Sequence, residues 1–387
     1  MDQVKSAYIH IPFCSQICYY CDFVKFMYKE NRATEYLEAL EKEMDHYLPG
    51  DQHELETIFI GGGTPTALNR EQLGALFRLI HRKFNVPNLK EFSIEVNPGD
   101  LDDEKARILR ENGVDRISFG VQVMDDDFLK QLGRLHRVKD VYDTVDILTR
   151  NRLTNISLDL IYGLPNQSVD HFRRSLNEAL AFDLPHYSTY ALQVEPKTVF
   201  YQRRKKGQLT LPAEEEEVRM YQLLRKTMQK HGKQQYEISN FAQPGYESKH
   251  NLTYWKNEHY FGFGAGAHGY LPGERTANLG ALPAYIKQSK QDGNPVVQRE
   301  EIGLRERIEE EMFLGLRKAD GIDKADFARK FGFPLEELYG QAIKRMANKG
   351  LMAETQNGLQ LTDDGLLLAN RVFEEFMLSP TDLELVN

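Results

Sequence analysis

The sequence predicts an α/β fold: a partial (β/α)6 TIM-like barrel followed by a smaller α+β, winged-helix-like domain. Three observations carry that expectation. In the first half of the chain, short apolar segments alternate with amphipathic helical stretches, as parallel strands joined by crossover helices require. Glycine-rich or polar residues follow those segments, where the reactive face of such a barrel lies. The last segment runs helices first and a hairpin second.

Taken in order, strands are expected at "AYIHI" (7–11), "TIFI" (57–60), "EFSIEV" (91–96), "RISFGV" (116–121), "ISLDLI" (156–161) and "YSTYAL" (187–192). Helical stretches lie between them, for example at 33–47, 70–83, 102–112 and 168–182. Six units are two short of the eight that close a barrel, hence the partial barrel. Further on, Ile308, Met312, Phe313 and Leu316 keep helical spacing, as do runs near 324–331 and 335–349. "LMAETQNGLQL" then reads as two short strands around an Asn-Gly turn, and Thr362 as the cap of a final helix. The expected division is a barrel core over 1–235, a connecting region over 236–300 and the last domain over 301–387.

Charge narrows the function classes. The chain has 49 basic and 58 acidic residues, a net charge of −9, which argues against a general nucleic-acid binder. Helices followed by a hairpin suggest DNA binding, yet from Glu301 onward there are 11 Lys and Arg against 17 Asp and Glu, so a lid or docking role is expected there. "RRKK" (203–206) and "EEEE" (214–217) read as solvated loop and helix-start residues. The start "MDQVKSAYIH" lacks an apolar core, and no stretch approaches the run of about 18 apolar residues that a spanning helix needs. A reducing, cytoplasmic setting is the expectation.

The cysteines sharpen this. Cys14, Cys18 and Cys21 stand within eight positions, and the rest of the chain has none. An odd number at such short spacing makes a poor disulfide framework. Structural zinc normally takes four protein ligands, and the only nearby fourth candidate, His10, sits in a strand pattern. A C-x3-C-x2-C loop suits a 4Fe–4S cluster with one iron left open; an incomplete zinc site or incidental thiols are the alternatives.

Other polar features fall at the ends of the expected strands: "GGGTPT" (61–66), Glu95, Gln122, Asp159 and Gln193. Each has a structural reading, such as a helix cap for Asp159 or a loop brace for Gln122. With the cysteines after the first strand, six features in register are harder to explain that way. Consecutive glycines let backbone approach a ligand closely. No Gly-Lys-Ser/Thr follows "GGGT", so it is not a P-loop. Gly264 to Gly269 matches G-x-G-x-x-G, but without a βαβ unit around it, and a dinucleotide site is not expected.

The cysteine spacing, the aromatic that follows it and "GGGTP" resemble the radical S-adenosylmethionine (SAM) superfamily. "YIHIPFC" and "CDF" narrow the likeness to the group related to oxygen-independent coproporphyrinogen III oxidase, over nearly the whole chain. The resemblance implies that the three cysteines hold a 4Fe–4S cluster and that SAM binds the open iron. It implies cofactor roles for Tyr8, Tyr20, Gly62, Gly63, Thr64, Glu95, Gln122, Arg134 and Asp159, with Gln193 and His268 aligning in less familiar surroundings. Two departures argue against the oxidase. Phe23 stands where the oxidases carry a further cysteine, and only 13 residues precede Cys14 where they have a longer segment. "HNLTYW" (250–255) instead resembles the signature of the family's heme chaperone branch. That likeness implies heme contacts at His250, Tyr254 and Trp255, and heme-accepting respiratory proteins as partners at the membrane surface. In a helix His250 and Tyr254 would share a face; a lone His of this kind otherwise packs or caps. An oxidase acting on a porphyrinogen and a radical SAM enzyme with another substrate are the other readings.

Overall fold

The structure is a computed structural model, and it describes residues 4–379. Strands β1 (Ser6–Ile11), β2 (Thr57–Gly62), β3 (Glu91–Val96), β4 (Arg116–Gln122), β5 (Ile156–Tyr162) and β6 (His186–Ala191) pair side by side in chain order, all parallel. All six coincide with the expected strands to within two residues at either end. The crossovers are helical: α1 (Glu30–Tyr47), α2 (Arg70–Lys83), α3 (Asp103–Glu111), α4 (Asp126–Leu132) with α5 (Val138–Arg150), and α6 (Val169–Leu180). Local chemistry starts them. The Asn69 side chain accepts from Gln72 N at 2.9 Å while Gln72 Oε1 accepts from Asn69 N, a reciprocal cap on α2. Asp102 and Ser168 cap α3 and α6 in the same sense.

Alternation along each strand separates two faces. Ile9, Ile58, Ile60, Ile94, Phe119 and Leu158 face the helices and are buried in the main core. The opposite face is polar: Ser6, Thr57, Glu91, Arg116, Ser157 and His186 form its lowest ring, with Glu95 and Asp159 higher up. The barrel is open, so this face lines a cavity rather than a packed interior.

The sheet continues past the six strands. After α7 (Val199–Lys205) and α8 (Glu214–Lys230), the short strands β7 (Gln234–Gln235) and β8 (Asn240–Ala242) add antiparallel to β6. "RRKK" falls at the end of α7 and "EEEE" in the first turn of α8, the placement that the helix dipole favours. After α9 (Lys249–Trp255), β9 (Tyr260–Phe263) joins parallel to β1 at the other edge. Then β10 (His268–Leu271), β11 (Glu274–Asn278) and, beyond α10 (Leu282–Asp292), β12 (Val296–Glu301) extend that edge antiparallel. The stretch expected only as a connector thus supplies strands to both edges of the sheet. Its Gly-rich run turns tightly at Gly264 (φ +104°), where a side chain would collide with Tyr36 Oη and the His10 carbonyl.

A second hydrophobic cluster, including Ile308, Met312, Phe327, Tyr339 and Ile343, joins α11 (Leu304–Gly315), α12 (Lys324–Phe331) and α13 (Leu335–Asn348). A three-stranded sheet completes it: β13 (Ile322–Asp323), β14 (Met352–Glu354) and β15 (Gly358–Leu361). The hairpin turn is centred on Gln356 and Asn357 rather than on Asn-Gly. Thr355 and Gly358 close it, through Thr355 N to the Gly358 carbonyl and Gly358 N to Thr355 Oγ1, and Gly358 is already strand. Thr362 caps the following helix by accepting from Gly365 N at 3.0 Å.

Candidate functional site

The cysteine loop leaves β1 at its carboxyl end. It is pinned at its base by Phe26 N to the Pro12 carbonyl (2.6 Å) and Tyr28 N to the Cys14 carbonyl (2.9 Å). Lys25 Nζ donates to the Cys21 and Phe23 carbonyls, and Tyr19 N to the Leu132 carbonyl. The glycine loop after β2 lies against it: Gly63 N donates to the Ile11 carbonyl and Thr64 N to the Phe13 carbonyl. A side chain on Gly63 would fall 2.7 Å from the Phe13 carbonyl oxygen and 2.9 Å from Cys14 Sγ. That glycine therefore serves close packing between the two loops.

Cys14, Cys18 and Cys21 open onto one cavity of about 670 Å³ that runs down the polar face of the sheet. Burial pushes the Cys14 thiol up to about 12 and raises Cys21. Among the described residues, no three His, Cys, Asp or Glu side chains converge as a single metal ion would require.

The structure brings most of the expected residues to this cavity. Tyr8, Tyr20, Gly62, Gly63 and Thr64 line it, as do Glu95, Gln122, Arg134, Asp159 and Gln193. Glu95 Oε2 accepts from Gly62 N at 2.9 Å; burial, reinforced by the nearby Asp159, lifts its carboxyl to about 7. Asp159 accepts from Ser118 and Ser157, and burial raises it too. Gln122 adopts φ +74° at a bulge in the β4–β5 pairing and lines the cavity on the same side of the strand as Ser118 and Gly120. Arg134 donates through Nη1 to Cys18 Sγ (3.5 Å), through Nη2 to Asn97 Oδ1 (2.8 Å), and to the Gly120 carbonyl.

Two expected residues lie elsewhere. His268 is exposed on β10, away from the cavity, because β10 belongs to the antiparallel extension of the sheet. Trp255 ends α9 beneath the Arg317 guanidinium, 4.5 Å above its ring, so that face packs against the last domain instead of standing free for a flat ligand. The rest of the motif is at the cavity base. His250 and Tyr254 share a face of α9, as helical spacing predicts, with His250 Nε2 2.8 Å from the Tyr254 hydroxyl. His250 Nδ1 lies 2.8 Å from Thr57 Oγ1, whose own proton goes to Ser6, so Nδ1 is the donor and Nε2 the acceptor. Burial holds the imidazole neutral, with its pKa lowered to about 3. Both ring nitrogens are engaged, so in this arrangement His250 offers no lone pair to iron. Glu91 fixes the start of α9 by accepting from Ser248 Oγ, Lys249 N and His250 N.

Asn97, Arg116, Ser118, His186 and Tyr190 also line the cavity, although no sequence motif singles them out. The signal for them is polarity at every second position of the strands.

The Radical SAM superfamily model matches residues 8–179, and the HemN C-terminal domain model matches 302–368. A Bacillus subtilis strain 168 protein named Heme chaperone HemW is 50% identical over 97% of this chain and 99% of its own length. An Escherichia coli K12 protein of the same name is 30% identical over 96% of this chain and 98% of its own length. Among solved structures, the E. coli coproporphyrinogen III oxidase HemN superposes with a TM-score of 0.84 at 23% identity, covering 97% of this chain and 91% of that one. With two relatives matched end to end at 30% identity or more, the chain belongs to the HemW family of the radical SAM superfamily.

Proposed function

We propose that the chain is a cytoplasmic heme chaperone that carries a SAM-ligated 4Fe–4S cluster, binds heme and delivers it to respiratory proteins. The observation that carries this reading is the end-to-end similarity to a protein named a heme chaperone, at 50% identity. Phe23, exposed at the rim where an oxidase would present cysteine, supports it. Among the described residues no helix is long and apolar enough to cross a membrane.

The cavity fits the implied cluster. Its three thiols all open onto it, and thiolates are the ligands that a four-iron cluster takes. Arg134, whose Nε is buried without a partner, places positive charge beside Cys18. When bound, a reduced cluster supplies an electron to the sulfonium of SAM. The surrounding residues bind and orient. Glu95 and Asp159 offer acceptors for hydroxyl or ammonium groups, Arg134 offers guanidinium donors for a carboxylate, and Tyr8, Tyr20, Thr64, Gln122 and Gln193 complete the polar wall. Titrating the purified protein with heme, alongside an anaerobic assay with coproporphyrinogen, tests the reading: heme binding without turnover supports it.

A further inference from the structure

Arg116 at the base of the cavity is a buried cation that no carboxylate among the described residues pairs directly, although Asp159 and Asp115 feel its charge. It opens β4, and alternation turns it to the cavity with Ser118 and Gly120. The residue is 3% exposed. Nη1 donates to Asn155 Oδ1 at 3.3 Å and to the Tyr246 carbonyl at 3.0 Å, both neutral acceptors. Among the described residues it forms no ion pair, and the residue lines the cavity. The carboxylates on neighbouring elements are engaged elsewhere: Glu91 with the start of α9, Asp159 with Ser118 and Ser157, Asp115 with Phe92 N. Burying a guanidinium this way is costly unless an anion arrives, and its planar fork matches a carboxylate.

Depth indicates which molecule brings it. Arg116 stands four strand residues below Gly120, about 13 Å from the cysteine end at 3.3 Å per residue. The same cavity carries an aromatic wall: Phe59, which the strand register aligns with Ser93 and Arg116, stacks between Tyr8 (6.2 Å) and His250 (5.3 Å). A flat ligand with a carboxylate at its edge fits both features. We propose that Arg116 binds a propionate of a porphyrin that enters the cavity edge first; this rests on the heme-binding reading above.

The test titrates heme, heme dimethyl ester, coproporphyrin III and SAM into wild type, Arg116→Gln and Arg116→Lys. Arg116→Gln is expected to weaken heme and coproporphyrin III by at least about tenfold, the loss of a charge-assisted pair. The dimethyl ester should bind wild type and Arg116→Gln alike, SAM affinity should not change, and Arg116→Lys should fall between the two. Should Arg116→Gln fail to fold, a severalfold loss in Arg116→Lys, confined to the free acids, supports the assignment equally. Heme bound equally by all three proteins overturns the assignment and leaves the chaperone reading intact. A loss for SAM alone places its carboxylate at Arg116 and overturns the porphyrin. If wild type binds coproporphyrin III but not heme, and Arg116→Gln loses it, Arg116 keeps its role and the heme reading fails. Wild type that binds neither porphyrin refutes both.

Discussion

His250 Nε2 accepts from the Tyr254 hydroxyl one helical turn on, at 2.8 Å, while its Nδ1 donates to Thr57 at the start of β2. The pair closes the base of the cavity. His250→Ala should therefore act first on stability, because it leaves the buried Tyr254 hydroxyl without its acceptor and takes from Thr57 its His250 donor, leaving Thr57 only its bond to Ser6, at a cost of about 1–3 kcal/mol. Thermal unfolding reads that loss. The absorption spectrum of the heme-loaded variant should keep the wild-type band positions. A ligand-exchange spectrum in His250→Ala would show that α9 repacks to present the imidazole to iron.

Each of Cys14→Ala, Cys18→Ala and Cys21→Ala removes a thiolate that no other cysteine can replace. Iron and sulfide should be almost entirely lost from all three after anaerobic reconstitution. Full iron retention in any one of them contradicts the cluster assignment.

Gly63→Val and Asp159→Ala should separate. Valine at 63 drives a branched side chain into the Phe13 carbonyl and Cys14 Sγ, so cluster content should fall together with SAM affinity. Asp159→Ala leaves the cysteine loop untouched and should weaken only SAM. Iron analysis beside calorimetry with SAM checks both; normal cluster content in Gly63→Val would mean that the two loops are not coupled as the packing implies.

Glu43 gives a pH dependence. It is fully buried under the Gly-rich run; burial raises its carboxyl to about 7, although Tyr285, Gly264 N and Asn278 donate to it and pull the value down. Its ordinary value of 4.5 is lower, so the folded state holds the proton more tightly. The stability this contributes is complete below about 4.5 and is lost as pH rises through 7. Melting temperature should decline between about pH 5 and 8, and Glu43→Gln should flatten that slope. An unchanged slope would place the titration elsewhere.

The strand positions were legible because the helix-facing residues are apolar at every second position, as in Ile58-Phe59-Ile60 and Ile117-Ser118-Phe119. The same alternation carried the cavity residues Arg116, Ser118 and His186, which no loop motif marked. The antiparallel edges were harder to see, since β9 is only four residues long and joins β1 across most of the barrel core. That long-range pairing is also why His268 lies off the site. Trp255 escaped because its neighbour, Arg317, comes from the last domain. The turn at Gln356-Asn357 slipped by one residue because Gly358 was needed in the strand, where a side chain would collide with the Ile322 carbonyl.

Phe23→Cys restores the cysteine that the oxidases carry, yet it changes one exposed rim residue and nothing in the cavity below. No protoporphyrinogen should form from coproporphyrinogen under anaerobic, reducing conditions. Turnover in that variant would make the single cysteine the switch between the two activities.

The most direct test of the central claim sets heme titration of the cluster-loaded wild type beside the anaerobic coproporphyrinogen assay on the same preparation. The account predicts saturable heme binding, about one per chain, and no protoporphyrinogen. Robust turnover of coproporphyrinogen with no heme binding would contradict it and make the chain an oxidase.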